Sequence, residues 1–330
     1  MSALSDNFQA TLLPLLRLKP RFALRDGVFS PLERAIKRSE NLIFAANPER
    51  PENFYTDFLN SIGIDSQVSE AEPGQETKPA ELLSNIPQNI ETDLELLSND
   101  FEREARCDLK GRKLYVHPSS KIAVLAHIDS TDGPVVIDEN VQISPFTLIK
   151  GPAYLGPGCI IDRASISNCI LGRQVRLGGE VSDSIFGDFS NKHHEGFIGH
   201  SLVGDWVNLG AITTTSDLKN NYGEIKLQFG QHNYASGEIK FGSIIGDYVK
   251  TAIGTMLNTG TIIDLGSLLY SGRIEQKYYQ PFFWGGAEPT SYDFKRFLQD
   301  AQRIMQRRKQ QLTDFQRQQL QLAYSTLQSI

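Results

Sequence analysis

The sequence predicts a mainly β fold: a left-handed parallel β-helix of hexapeptide repeats, with a small α/β N-terminal region and C-terminal helices. Aliphatic residues recur at every sixth position, the period typical of this class of solenoid. The longest run is Ile137, Ile143, Ile149, Leu155 and Ile161. Small or β-branched residues stand four positions later, and glycine or aspartate often follows the aliphatic residue, where a turn is needed.

The same spacing returns along much of the chain, upstream at Val116 and downstream as far as Leu269. One aliphatic side chain per hexad would point inward and stack on its equivalents in neighbouring coils. An ordinary β-sandwich would instead show alternation with a period of two. The repeat is interrupted at residues 185–202 and 215–243, and long loops inside a regular solenoid are usually functional.

Changes in composition divide the chain into four predicted parts. Residues 1–65 form an N-terminal region that is short for a complete α/β domain. Residues 66–110 form an acidic linker rich in proline, serine and glutamine. Residues 111–284 form the β-helix. Residues 285–330 carry apolar side chains at helical spacing, which predicts a helical cap over the coil.

Composition and charge argue against several classes of function. The formal net charge is -6, so a nucleic-acid phosphate backbone is not the expected partner. We find no apolar stretch that would span a membrane and no visible signal peptide, so no membrane partner is expected. The three cysteines form no CxxC pair, and we expect a cytoplasmic protein.

Two adjacent histidines mark the first interruption of the repeat. His193 or His194 could supply an imidazole as a general base, although paired histidines in a loop are more often plain surface side chains. His194 and His200 are one hexad apart and would lie on different faces, so no metal site is predicted within one subunit. A metal site shared between subunits stays open.

The coil that follows these histidines resembles a known family. Residues 199–211 (GHSLVGDWVNLGA) are similar to the coil after the catalytic histidine of bifunctional N-acetylglucosamine-1-phosphate uridyltransferase/glucosamine-1-phosphate acetyltransferase. A bacterial family of sugar nucleotidyltransferase-like proteins with a hexapeptide-repeat C-terminal half is more similar still, through 190–192 (SNK), 218–222 (LKNNY) and 281–286 (PFFWGG). A weaker match identifies residues 1–65 as nucleotidyltransferase-like.

The resemblance implies acetyl transfer from acetyl-CoA to a sugar phosphate or nucleotide sugar. It places His194 at the position of the general base and Asn221 beside it as a second catalytic residue. The binding residues that it implies are Lys192, Tyr222 and Lys240 for the substrate, and Ile253, Tyr270 and Ser271 for acetyl-CoA. It also implies a homotrimer with active sites between subunits.

Departures from the family pattern keep other functions open. Phe197 stands where the family has a tyrosine, and the family's phosphate-binding basic pair falls on Val181-Ser182-Asp183, which carries no positive charge. Segment 15–21 lacks the glycine-rich loop that holds a triphosphate. The alternatives are a sugar-phosphate nucleotidyltransferase and a non-catalytic sugar-nucleotide-binding scaffold.

Overall fold

A parallel β-solenoid of about 10 turns over residues 114–285 forms the centre of the molecule, and C-terminal helices follow it, which confirms the predicted fold class. The computed structural model describes residues 3–39, 42–47, 50, 53–64, 74–103, 109–110, 113–270, 276–285 and 290–327. Each coil has three faces, called here the first, second and third face in the order in which the chain crosses them.

The strands of each face pair in parallel with those of the coils above and below. First-face strands are Leu114–Val116, Val135–Ile137, Leu202–Val203, Ser243–Ile245, Thr261–Ile263 and Tyr278–Tyr279. Second-face strands are Lys121–Ile122, Gln142–Ile143, Asn191–Lys192, Lys250–Thr251, Leu268–Leu269 and Phe283–Gly285. Third-face strands are Leu109–Lys110, His127–Asp129, Phe197–Gly199, Thr214–Thr215 and Met256–Leu257. Leu148–Leu155, Ile160–Leu171 and Arg176–Phe186 continue around corners from one face to the next.

The hexad positions point into the solenoid as the sequence predicts. All five residues of the longest run are buried in one continuous core: Ile137, Ile143, Ile149, Leu155 and Ile161. Register is kept from coil to coil, so that Ile143 pairs with Ile161. Burying each such aliphatic side chain contributes about 1.5–3 kcal/mol, and the stacked column is therefore the main source of stability.

The first face is apolar on its outer side as well. Val136, Ile170, Ile185, Ile244 and Ile262 point outward and are nevertheless buried. The N-terminal region covers them with the short helices α1 (Leu13–Leu16), α4 (Pro79–Ser84) and α5 (Ile86–Asp93), whereas α2 (Pro31–Lys37) and α3 (Phe54–Ser61) pack in a separate apolar cluster. The region also contains the 3₁₀ turns Ala10–Leu12, Arg21–Ala23 and Leu94–Leu96, and the parallel strands Ala3–Ser5 and Ile43–Ala45.

Part of the predicted linker, residues 66–110, is structured. Helices α4 and α5 lie within it, and Ile86 and Ile90 are fully buried against the first face. At the end of α5, Asp93 pairs with Arg34 of α2 at 2.6 Å. Most of residues 79–96 are helical, and the linker interpretation did not anticipate this because an average over the polar composition hid apolar residues at helical spacing. Glu102–Arg103 forms a short strand antiparallel to the start of the solenoid.

Two helices at the C-terminal end, α6 (Phe294–Gln306) and α7 (Asp314–Leu327), cover the corner between the first and second faces. Phe297 of α6 contacts Phe282 of the last coils at a ring-centroid distance of 5.0 Å. A short strand, Thr290–Ser291, pairs antiparallel with Phe283–Gly285 just before α6. None of the helices in the described part of the chain is long and apolar enough to cross a bilayer.

An aspartate column runs along this same corner, one residue per coil: Asp188, Asp205, Asp247 and Asp264. The carboxylate of Asp205 accepts a hydrogen bond from the Asp188 amide at 2.8 Å, and that of Asp247 accepts one from the Asp205 amide at 2.7 Å. The column thereby closes turns between neighbouring coils, and it also concentrates negative charge where the N-terminal region packs.

Cations of the N-terminal region neutralise the aspartate column. Arg17 makes a bidentate contact with Asp264 at 2.8 and 2.7 Å. The Lys19 ammonium contacts Asp205 and lies 4.0 Å from Asp247. Arg17 and Lys19 are therefore paired with carboxylates of this chain and are not free to bind another anion.

Asp247 should give the folded protein a measurable pH dependence. Burial raises the pKa of its carboxyl to about 7, the charge of Lys19 opposes that shift, and Asp205 adds to it. An unfolded aspartate titrates near pH 3.9, so the folded state binds more protons between about pH 4 and 7. The contribution of this group to the free energy of unfolding therefore falls as the pH rises through that window and is constant above it.

Replacing Asp247 with asparagine is expected to flatten that part of the stability profile. Urea unfolding at several pH values between about 4 and 7 measures the slope. Asp57 is an exposed aspartate on α3, so Asp57→Asn is the matched control and should leave the slope unchanged. Equal slopes for the wild type and Asp247→Asn would contradict the assignment.

Candidate functional site

The His193–His194 turn lies at the corner between the second and third faces. It connects Asn191–Lys192 to Phe197–Gly199. His194 is exposed, and its ring centroid lies 5.3 Å from that of His193. The backbone carbonyl of His193 packs closely on Gly178, and the Nε2 atom of His193 lies 3.8 Å from Oδ2 of Asp162. The exposed imidazole of His194 is thus free to meet a ligand from outside the coil.

A lysine replaces the inward aliphatic residue of this coil. Lys192 pairs in register with Leu177 of the preceding coil and is 1% exposed. Its ammonium donates to the carbonyl oxygens of Gly178 at 3.1 Å and His194 at 2.5 Å. Burial lowers the pKa of Lys192 to about 8. A buried charge is tolerated where it is hydrogen-bonded, and here it holds the His194 turn from inside.

Lys192 also accounts for the interruption that the sequence predicts at residues 185–202. The strands of this segment keep their pairing, so the coil is regular and only the residue type at the inward position differs. The Lys192 ammonium faces the interior and bonds to the backbone of the turn, and its predicted role in substrate binding stays a prediction.

Large apolar side chains line the same corner above and below His194. This apolar edge consists of Leu125, Phe146, Ile212, Ile253 and Tyr270, all of them exposed. The exposed fractions of Phe146 and Ile253 reach 73% and 74%, which is unusual for a row of large apolar residues on one edge. The Ile212 amide donates to the Glu195 carbonyl at 2.8 Å, so the edge adjoins the His194 turn directly.

Two of the residues predicted to hold acetyl-CoA, Ile253 and Tyr270, lie on this apolar edge. Ser271, predicted with them, lies outside the described residues. His194 and these two residues therefore occupy one corner of the solenoid, with Ile253 two coils and Tyr270 three coils beyond His194. Their assignment to acetyl-CoA stays a prediction.

A second polar cluster lies at the opposite edge of the third face. The Nδ1 atom of His200 is 2.7 Å from Oδ2 of Asp217, and its Nε2 atom is 3.6 Å from Oδ2 of Asp183. Asn168 donates to the other oxygen of Asp183 at 2.8 Å. The cluster borders a cavity of about 260 Å³ that is also lined by Lys240. Lys240 is therefore brought together with His200, and not with His194, within one chain.

Sequence reasoning missed the pair of His200 and Asp217. They stand 17 residues apart, which is one coil, but the length of that coil cannot be read from a repeat of six. His200, Asp183 and Asn168 all adopt a positive φ, between 45° and 49°. Histidine, aspartate and asparagine tolerate this conformation better than most residues, and that local requirement suits them to this corner.

Asn221 and Tyr222 lie in the long excursion between the third and first faces. The Asn221 side chain accepts a hydrogen bond from the Gly223 amide at 3.1 Å, which stabilises a local turn. Tyr222 is 67% exposed. The excursion continues into the antiparallel hairpin Lys226–Phe229 and His232–Ala235, which packs on the first face. The single chain does not join these two residues to the His194 corner.

Comparisons with curated proteins confirm the resemblance to bifunctional sugar-nucleotide enzymes. The bifunctional sugar-1-phosphate nucleotidylyltransferase/acetyltransferase of Sulfurisphaera tokodaii is 31% identical over 154 residues, which cover 43% of this chain and 36% of that protein. The bifunctional protein GlmU of Buchnera aphidicola subsp. Acyrthosiphon pisum is 33% identical over 125 residues, covering 37% of this chain and 23% of that protein. No protein-family model matches the chain.

Comparisons with solved structures give two acetyltransferases. The acetyltransferase domain of PglB from Neisseria gonorrhoeae, in complex with acetyl coenzyme A, has 11% identity and a TM-score of 0.16, covering 79% of this chain and 91% of that one. The perosamine N-acetyltransferase of Caulobacter crescentus has 14% identity and a TM-score of 0.16, covering 73% and 84%. The firmer comparison is with the curated relatives, and the chain spans only about a quarter to a third of their length.

Proposed function

We propose that the chain transfers an acetyl group from acetyl-CoA to an amino or hydroxyl group of a sugar phosphate or nucleotide sugar, with His194 as the general base. The observation that carries the proposal is the exposed imidazole of His194 on a turn held by the buried ammonium of Lys192. The relative from Sulfurisphaera tokodaii supports it, since its name joins an acetyltransferase to a sugar-1-phosphate nucleotidylyltransferase.

The geometry suits an acyl transfer with one proton acceptor. The acceptor's nitrogen or oxygen attacks the thioester carbonyl carbon, and the His194 imidazole takes the proton that this atom loses. The carbon–sulfur bond then breaks, and the thiolate of coenzyme A leaves and recovers a proton from the imidazolium. The apolar edge beside His194 offers Ile212 and Ile253 as a surface for the apolar part of the donor.

The proposal includes a homotrimer. Six residues separate His194 from His200, so the two edges of the third face lie at most about 20 Å apart. Asn221, Tyr222 and Lys240 can contribute to the His194 site only from a neighbouring subunit or through a ligand that crosses this face. The exposed apolar edge supports association, because single chains rarely leave such a row uncovered.

Phe146→Asp is expected to weaken this assembly. Covering one phenylalanine contributes about 1.5–3 kcal/mol, so the dissociation constant should rise roughly 10- to 100-fold. Light scattering coupled to size-exclusion chromatography measures the mass over a dilution series. Ile36→Asp on α2 removes an exposed isoleucine elsewhere and is the control. A wild-type protein that is monomeric at micromolar concentration would sink the trimer and the shared site.

The activity is tested by release of free thiol from acetyl-CoA in the presence of amino sugars, sugar phosphates and nucleotide sugars. We expect release only when an acceptor is present. Stabilisation by acetyl-CoA in a thermal-shift assay is the companion measurement, since a bound ligand raises the melting temperature by mass action. The proposal is refuted if acetyl-CoA does not stabilise the protein and no acceptor causes release of thiol. No nucleotidyl transfer is proposed, because Arg17 and Lys19 are paired with carboxylates.

A further inference from the structure

A basic recess of about 350 Å³ lies on the second face, beneath the C-terminal end of α6. Arg176 and Lys250 line it from the solenoid, and Arg307 and Arg308 line it from the end of α6. Its floor is a vertical row in which Arg176, Asn191, Asn208 and Lys250 pair from coil to coil. The stacked rings of Phe189 and Trp206 form a side wall, with centroids 4.2 Å apart.

The four cations of the basic recess make no ion pair within the part of the chain that the structure describes. The negative charge that influences the pKa of Lys250 is that of Asp300. The Asp300 carboxylate already accepts hydrogen bonds from Arg303 at 2.9 Å and from the Tyr292 hydroxyl at 2.6 Å. Elsewhere this chain pairs its enclosed cations, as it does with Arg17 and Lys19.

Two of the nitrogen atoms are buried without any hydrogen-bond partner among the described residues. They are Nε of Arg176 and Nζ of Lys250. A buried charged donor that lacks an acceptor costs more than a neutral one, and folded proteins rarely leave one unless it serves a purpose. Burial lowers the pKa of Lys250, and burial together with the charges of Arg176 and Arg307 lowers that of Arg308. The recess is therefore built to receive negative charge.

We propose that the basic recess binds a pyrophosphate ester, the group that coenzyme A and nucleotide sugars share. Two linked phosphates, esterified at both ends, offer several acceptor oxygens and about two negative charges, which would satisfy Arg176 and Lys250 and partly offset the charges of Arg307 and Arg308. The Asn191 and Asn208 amides, joined at 2.7 Å, supply neutral polar groups between the two cations. The volume suits such a group and part of the molecule attached to it.

The recess lies close to the His194 turn. Asn191 stands three residues before His194, so the two are at most about 10 Å apart along the chain. A pyrophosphate ester bound here could extend its other end to the second–third corner. The recess also supplies positive charge near the His194 turn. The segment Val181-Ser182-Asp183, where the family has its phosphate-binding basic pair, carries none.

Isothermal titration of the full chain with inorganic pyrophosphate, coenzyme A and UDP-glucose tests the inference. Lys250→Met removes one charge with little change in shape and should lower the affinity roughly 10- to 100-fold, the usual worth of a charged hydrogen bond. Arg308→Gln should lower it as well, and it alters only the end of α6. Lys309→Met removes the neighbouring exposed charge and should change little. Tighter binding of coenzyme A assigns the recess to the donor, and tighter binding of UDP-glucose assigns it to the acceptor.

A stability measurement separates a ligand site from a structural role. Without ligand, Lys250→Met should melt at the same or a higher temperature, because it removes an unpaired buried charge. The inference is overturned if the wild type binds none of the three probes, or if Lys250→Met and Arg308→Gln both bind as the wild type does. It is also overturned if Lys250→Met loses stability and keeps its affinity. Wild-type thiol release with acetyl-CoA would survive all three results, so the proposed function is judged separately.

Discussion

His194→Ala is expected to lower the rate of acetyl transfer roughly 10²- to 10⁴-fold, the usual contribution of a positioned acid–base group. Without the imidazole, the attacking amino or hydroxyl group loses the proton acceptor that the proposal assigns to it. The binding of acetyl-CoA should stay nearly unchanged, because the proposal assigns the donor to the apolar edge and the backbone. Thiol release under saturating donor, together with a titration of acetyl-CoA, separates the two effects.

His193→Ala is the matched control for this prediction. His193 points toward Asp162, on the other side of the turn, and is half-buried. Its removal should cost far less activity. Equal rates for His194→Ala and the wild type would reject His194 as the base, and the scaffold hypothesis would then be the better account of the chain. Lys192→Met is a further arm, expected to reduce the rate through a displaced turn and to be accompanied by a loss of stability.

Lys19→Met is expected to destabilise the protein by about 3–5 kcal/mol, since it leaves the buried carboxylate of Asp247 without its counter-charge. Lys19 contacts the partly exposed Asp205 and lies 4.0 Å from Asp247, whose side chain is 2% exposed. Chemical denaturation at neutral pH measures the free energy of unfolding. At lower pH the deficit should shrink, because protonated Asp247 no longer needs a cation.

Lys113→Met is the control for Lys19→Met. Lys113 pairs with Glu91 at 2.6 Å, and both side chains are nearly half exposed, at 49% and 44%. Exposed ion pairs contribute at most about 1 kcal/mol, so this variant should be close to the wild type. Comparable losses for the two variants would show that the aspartate column does not depend on its counter-charge.

The hexad pattern predicted the solenoid because its cause is local and repeats. Every inward residue from Ile137 to Ile161 meets the same environment, and the sequence records that environment at each coil. The C-terminal helices were predicted for a similar reason, since apolar spacing within one helix is visible in one window. Helices α4 and α5 were missed because they are short and lie in a polar stretch.

The candidate site was predicted only in part, for the opposite reason. A motif located His194 on its turn, but it did not reveal that Lys192 points inward, which depends on the register of a neighbouring coil. The basic recess was invisible, since its cations come from Arg176, Lys250 and the end of α6. Only the stacking of coils and the docking of a helix bring them together. A cluster of charges that comes from distant segments of the chain produces no regular spacing in the sequence.

The contact between the N-terminal cations and the aspartate column also bears on how the protein comes apart. In a stack where each coil touches only its neighbours, the end coils can fray without disturbing the rest. Arg17 and Lys19 are two residues apart, yet they hold Asp264 and Asp205, which belong to coils that do not touch. Loosening either coil strains the other through this bridge. The coils from that of Asp205 to that of Asp264 should therefore exchange their amide hydrogens as one cooperative block. They should show a single opening free energy instead of values that fall from coil to coil toward the C-terminal end of the solenoid.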